Sequence, residues 1–271
     1  MISLSLILYF CFGLILGSFI NVVVMRSGAR SLSGRSGCMS CGTKIKWFDL
    51  IPVFSWFALR GRCRACGSRI SAQYPIVECG TGVSFALVGG ALLPPLATVI
   101  GLLICAILIA IVVYDLRHTI IPDPWVWSFN ALAILSIFLS TPYSIHDTLY
   151  ALLAGPVVAL PLFVLWLVSG GKWMGLGDSK LALGIGWLLG PLYGIVALFL
   201  AFVIGAIVAV CILLPLPHLM RLLKKAGIAH SDPAVSYTMK SEIPFGPFLI
   251  AACMFQWISQ MYGISIPFLW Q

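Results

Sequence analysis

The chain has 271 residues, 61% hydrophobic and only 9% charged, with a formal net charge of +8. Soluble domains carry about a quarter charged residues. This composition therefore excludes an ordinary soluble globular domain and makes lipid the solvent for most of the surface.

In chain order, the first apolar run spans 2–24. It has neither a basic n-region nor a small-residue cleavage site, so it reads as a retained span rather than a signal peptide. A polar, Gly- and Cys-rich insert occupies 25–74. Further apolar runs lie near 75–93, 96–114, 124–140, 148–169, 178–190, 192–215 and 244–265. A backbone in lipid must satisfy its own hydrogen bonds, so all eight runs are read as helices. The sixth is short and is expected to begin in a recess. With the N-terminus outside, the outer connections are Leu93-Pro94-Pro95, Ser140 to Asp147, the Gly190-Pro191 turn and the tail from Gly263. None contains Lys or Arg, and all sixteen basic residues fall inside, as the positive-inside rule requires. The expected fold is an all-α polytopic membrane protein of about eight transmembrane helices. Its divisions are a first helix at 1–24, a cytoplasmic insert at 25–74 and a helical domain at 75–271. A second inner loop, 216–243, carries Arg221, Lys224 and Lys225. This cluster reads as attraction to anionic membrane lipids, and no nucleic-acid partner is expected.

Within the insert, Cys38-Met-Ser-Cys41 precedes Cys63-Arg-Ala-Cys66. Two thiolate pairs on tight turns, joined by a linker of this length, predict a tetrahedral Zn²⁺ site. Gly42 and Gly67 each follow the second Cys of a pair and supply the turn. With four protein sulfurs the metal is structural, and it staples an insert of about fifty residues that lacks enough core of its own. The reducing side of the membrane disfavours disulfides. Cys11, Cys79, Cys105, Cys211 and Cys253 read as small packing residues.

Of the eight acidic residues, only Asp115 and Asp178 abut long apolar runs at inner ends. Ionisable groups at membrane depth are costly and are functional candidates by default. Asp178 lies in Gly175-Leu-Gly177-Asp178, where glycines admit close backbone approach. Two neighbouring carboxyls sharing a proton form the aspartic protease arrangement. A structural or helix-capping pair, and a proton or cation relay in a transporter, fit the spacing as well. Spacing alone leaves these readings open.

Taken together, the motifs resemble those of the type IV prepilin peptidases, a family of bifunctional leader peptidases and N-methyltransferases. The resemblance runs through Gly17-Ser-Phe-Ile-Asn21-Val, the two Cys pairs, Ile70-Ser71 and Tyr74-Pro75-Ile-Val-Glu78. It continues through Asp115, Ile121-Pro122-Asp123, Gly175-Leu-Gly-Asp178-Ser-Lys180-Leu and Ile243-Pro-Phe-Gly246-Pro-Phe-Leu. Met39 stands where the family's first pair usually has Pro, Asp49-Leu-Ile-Pro52 where Asn-Ile-Pro is common, and the stretch before Gly175 lacks the usual Glu. The Cys module and the Ile-Pro-Asp segment favour this family over presenilin-like intramembrane proteases, which share the Gly-x-Gly-Asp motif.

The resemblance implies that Asp115 and Asp178 are the catalytic pair, with Gly175, Gly177 and Lys180 in the active-site loop. It implies a prepilin or pseudopilin precursor as substrate, cut after a Gly at the cytoplasmic face of the bacterial inner membrane. It also implies S-adenosylmethionine as the donor that methylates the new N-terminus. Lys180 and Arg117 are cations expected to bear on the dyad. The insert carries nine basic residues and one acid, so a basic leader is expected to avoid it and dock near Glu78, Asp123 or Glu242. The macrodipole argument makes Asp178, at a helix start, the base that activates water, and Asp115, at a helix end, its protonated partner.

Overall fold

A computed structural model of the chain describes residues 2–27, 34–139, 144–213 and 244–264. Among these residues the structure is helical, with no strand beyond two isolated bridges in the insert. Helix α1 (Ile2–Arg26) leads into the insert, which holds a 3₁₀ turn (Trp47–Leu50) and a short α2 (Phe54–Ala58). There follow α3 (Gln73–Gly90), α4 (Pro95–His118), α5 (Asp123–Leu139), α6 (Ile145–Ser169), α7 (Leu176–Leu189) and α8 (Pro191–Val208). After a π-helical turn (Ala209–Leu213), the last described helix is α9 (Gly246–Met261). Each predicted apolar run holds one helix. By length and apolarity α1, α4, α6 and α8 can cross a bilayer, and α5 is apolar but shorter.

Local chemistry sets the ends. Pro95 and Pro191 open α4 and α8, where a missing N–H costs nothing and φ is already helical. The Ser144 hydroxyl caps α6 by accepting from the Asp147 N–H at 3.2 Å. Helix α6 stops at Gly170 (φ 58°) and α7 at Gly190 (φ 80°), the left-handed or open conformations that glycine adopts without strain.

The shortness of α7 has a packing reason. Its 14 residues rise about 21 Å at ~1.5 Å per residue, less than a hydrocarbon core of about 30 Å. The helix is wrapped by α5, α6, α8 and α9, and Leu181, Ala182 and Ile185 are fully buried. A helix enclosed by protein need not match the lipid thickness. Gly186 meets the backbone of Ala154 and Gly155 on α6 so closely that no Cβ fits, the small-residue contact typical of membrane helices. Phe85, Ile104, Leu108, Phe129, Leu162 and Leu249 fill the surrounding core. The outward faces of α1 (Leu4, Leu8, Ile15) and α6 (Leu153, Leu160, Leu167) are apolar and exposed, as lipid contact demands.

Among the described residues, helices α1 and α3 share the most extensive contact, through small residues. A Cβ on Gly13 would lie 2.7 Å from the Gly82 Cα, and one on Gly17 2.8 Å from the Glu78 Cα. This pair clamps the base of the insert, since α1 ends where the insert begins and α3 starts where it finishes.

Candidate active site and metal centre

The last turn of α4 and the first turn of α7 each contribute one buried carboxyl, Asp115 and Asp178. Asp115 is followed by a C-cap in which Thr119 (φ 53°) donates its N–H to the Asp115 carbonyl at 2.8 Å. Asp178 is the third residue of α7, and its N–H reaches the Gly175 carbonyl at 3.3 Å. The two carboxyls lie within electrostatic reach of one another. Each also has a backbone amide as neighbour, Gly246 for Asp115 and Gly175 for Asp178.

Ile121, in the link between α4 and α5, joins the two halves of this site. A Cβ on Gly177 would lie 3.1 Å from the Ile121 Cβ, and one on Gly246 3.3 Å from the Ile121 Cδ1. The same Cβ on Gly246 would lie 2.5 Å from Asp115 Oδ2. The start of α9 therefore presses its backbone against the Asp115 carboxyl, and only glycine allows that. The role of Gly246 depends on this tertiary approach and is not evident from its own segment. The pattern Pro244-Phe-Gly246-Pro247 was the available signal of a tight approach at a helix start.

The expected partners of the dyad fall differently. Lys180 Nζ bonds Asp123 Oδ1 at 2.7 Å, tying α7 to the start of α5. Residues two apart on a helix do not face each other, and the Lys180 cation is taken by Asp123 rather than by Asp178. Arg117 donates from Nε to Gln73 Oε1 at 2.9 Å. Gln73 Nε2 in turn approaches Asn21 Oδ1 at 3.5 Å, and Asn21 Nδ2 reaches the Gly17 carbonyl at 3.2 Å. The chain Arg117–Gln73–Asn21 links the end of α4 to α1 and α3. Glu78 is buried, and its Oε2 accepts the Val53 N–H at 2.6 Å. As placed, Glu78 anchors the insert instead of presenting a charge to a ligand. Asp123 is half exposed beside Lys180, and Glu242 lies outside the described residues.

In the insert, the Sγ atoms of Cys38, Cys41, Cys63 and Cys66 all lie within 4.8 Å of one another. The two pairs sit on equivalent knuckles. Gly42 N–H donates to the Cys38 carbonyl and Gly67 N–H to the Cys63 carbonyl, each at 2.9 Å, with both glycines at φ 70°. Isolated bridges Gly37↔Lys44 and Arg62↔Arg69 close the two loops. Cys38 Sγ and Cys66 Sγ are 3.8 Å apart, too far for a disulfide of about 2.05 Å. That separation matches the edge of a tetrahedron with metal–sulfur bonds of about 2.3 Å, roughly 3.8 Å. The four sulfurs thus fit a metal ion. The Cys41 backbone amide, followed by the Ser68 hydroxyl, pulls the Cys38 thiol down to about 5, and Ser68 lowers Cys66 as well. Beside the cluster Arg64 grips Asp49 through Nε and Nη2 at 2.7–3.2 Å, holding that carboxyl below its usual range.

These features define a helical membrane protein with a buried carboxyl pair at one end of its bundle and a four-cysteine module beside it. The family model described as the bacterial peptidase A24 N-terminal domain matches residues 11–91, and that of the type IV leader peptidase family matches residues 102–210. A protein named prepilin leader peptidase/N-methyltransferase from Aeromonas hydrophila is 31% identical, over 96% of this chain and 91% of the relative. One of the same name from Pseudomonas putida is 30% identical, over 94% and 89%. No solved structure matches the chain. The chain belongs to the type IV leader peptidase family.

Proposed function

We propose that this chain is a membrane aspartic endopeptidase that removes the leader from prepilin or pseudopilin precursors at the cytoplasmic face of the inner membrane. In this reading N-methylation of the new N-terminus follows, with S-adenosylmethionine as donor. The observation that carries the peptidase reading is a pair of buried carboxyls, Asp115 and Asp178, within electrostatic reach of each other, with Gly246 backbone against the first and Gly175 beside the second. Two carboxyls within reach of each other cannot both ionise easily and share a proton. One takes a proton from water as it attacks the scissile carbonyl, while the other gives its proton to the carbonyl oxygen; as the gem-diol collapses, the first passes the water's proton to the leaving amine and the second recovers its own. The helix-end argument assigns the water-activating role to Asp178 and the proton-donating role to Asp115. Gly246 fixes the Asp115 carboxyl from behind, and Lys180 secures the first turn of α7 through Asp123. The methylation half rests on the names of the relatives.

The Cys38, Cys41, Cys63 and Cys66 cluster is proposed to hold one structural Zn²⁺, since all four positions would be filled by sulfur and none left for substrate. The eight helices are proposed to cross the membrane in alternation, with α7 and its neighbours sheltering one another from lipid. The domain divisions 1–24, 25–74 and 75–271 follow this reading. A prepilin peptide incubated with the purified chain and S-adenosylmethionine, then read by mass spectrometry, tests both activities. Cleavage that persists in a folded Asp115→Asn or Asp178→Asn chain would exclude the aspartyl mechanism. Cleavage without the 14-mass-unit gain of a methyl group, roughly the mass of CH₂ in any methylation, would remove the second activity alone.

A further inference from the structure

We propose that the cleft between the insert and the inner ends of α1, α3 and α4 binds one anionic phospholipid. The cleft encloses about 1240 Å³, somewhat more than the ~300–1,000 Å³ of most small-ligand sites. Its lining is divided by chemistry. Arg35, Lys44, Lys46 and Arg69 from the insert supply its basic part, while Val22 and Met25 of α1, with Leu50 and Trp56, supply its apolar part. Two acids also line it, and both are occupied: Arg64 grips Asp49, and the Val53 N–H bonds Glu78. Among the described residues Arg35, Lys44 and Arg69 have no carboxylate partner. Arg26, Arg35, Lys44, Lys46, Arg64, Arg69 and Arg117 line the cleft against Asp49, Glu78 and the double negative charge of a four-thiolate Zn²⁺ centre whose Cys38 and Cys63 also line it, so the cleft keeps a positive balance that repels a basic leader and attracts a phosphodiester.

Depth separates a lipid from a free anion. The lining extends along α1 from Arg26 back to Ser18, about 12 Å at ~1.5 Å per residue. Arg26 marks the inner end of an apolar span, so the cleft runs from headgroup level towards acyl-chain depth. Inorganic phosphate would use only the basic part. An amphiphile uses both. Trp47, Phe54 and Phe57 of the insert are exposed at 79%, 68% and 64%. Aromatic side chains of this kind anchor at the membrane–water interface, which places the insert against the bilayer with its cleft open to lipid.

Native mass spectrometry of the full chain, released from nanodiscs of phosphatidylcholine with or without phosphatidylglycerol, tests the proposal. One phosphatidylglycerol should be retained in preference to phosphatidylcholine, and excess inorganic phosphate should not displace it. Arg35→Gln and Lys44→Gln should each weaken retention roughly fivefold, as loss of one near-surface charge implies, while Lys172→Gln should not. Equal retention of the two lipids, displacement by phosphate, or unchanged retention in both cleft variants would overturn the site. A phosphatidylglycerol carrying a headgroup photolabel, applied to the unmutated chain, avoids any folding defect. Adducts should fall within residues 35–71. Adducts confined to other segments, or a label in the cleft displaced by a prepilin peptide, would refute the assignment. None of these outcomes depends on whether the chain cleaves a peptide.

Discussion

Replacing Gly246 by Ala is the sharpest test of the dyad geometry. The new methyl would start 2.5 Å from Asp115 Oδ2 and 3.3 Å from Ile121 Cδ1. Ordinary contact begins at 3.4 Å, so the carboxyl must retreat by close to 1 Å. Ile121 blocks the other direction, because it is already packed against Gly177 at 3.1 Å from a virtual Cβ. A misplacement of about 1 Å at a reacting group costs on the order of 100-fold in rate. The substitution should therefore lower kcat/KM on a prepilin peptide about 100-fold. It should leave thermal stability nearly unchanged, since alanine is a better helix residue than glycine by about 0.5–1 kcal/mol and this position opens α9. Gly177→Ala, which needs only a few tenths of an ångström from Ile121, should cost several-fold less. A folded Gly246→Ala chain that cleaves within threefold of the unmutated rate would refute the claim that α9 backbone holds Asp115 in place.

Asp115→Asn and Asp178→Asn should each abolish cleavage while the chain remains folded in the membrane, as judged by size-exclusion profile and helicity. Cys63→Ser should drop bound zinc from one per chain towards zero by elemental analysis and sensitise the insert to protease, with any loss of cleavage indirect. Glu78→Ala should leave the Val53 N–H without its acceptor and destabilise the insert by about 1–3 kcal/mol, read as faster proteolysis between α1 and α3. Glu78→Gln, which keeps an acceptor, should be milder. Lys180→Ala should cost at most about 1 kcal/mol, because the partner Asp123 is half exposed and such pairs are weak. A double-mutant cycle with Asp123→Ala would show a coupling of similar size.

The helices and the candidate groups were legible in sequence because they depend on runs and on rarity. Apolar stretches long enough for lipid give α1, α4, α6 and α8, and Asp115 and Asp178 stand out as charges beside such stretches. The cysteine knuckles were legible because pair and turn lie within a few residues of each other. Tertiary neighbours were not. Gly246 reaches Asp115 across nearly half the chain, and Lys180 chooses Asp123, 57 positions away, over Asp178 in the same turn. The inward turn of Glu78 was hidden for the same reason: its acceptor role depends on where the insert folds back. Composition signals which groups are costly to bury but not which distant backbone relieves the cost.

The close α1–α3 pair has a consequence for how the cysteine module would take up a metal ion. Closing a flexible chain of n residues costs entropy that grows as about (3/2)RT ln n. Here the glycine contacts at Gly13 and Gly17 have already brought the two ends of the insert together, so the ion draws together a loop whose span is preset by membrane helices. Metal affinity and helix pairing would thereby be linked: whatever separates α1 from α3 would also weaken the hold on an ion. A peptide cut from the insert alone, with its ends free, must meet the whole closure cost from metal–sulfur bonding.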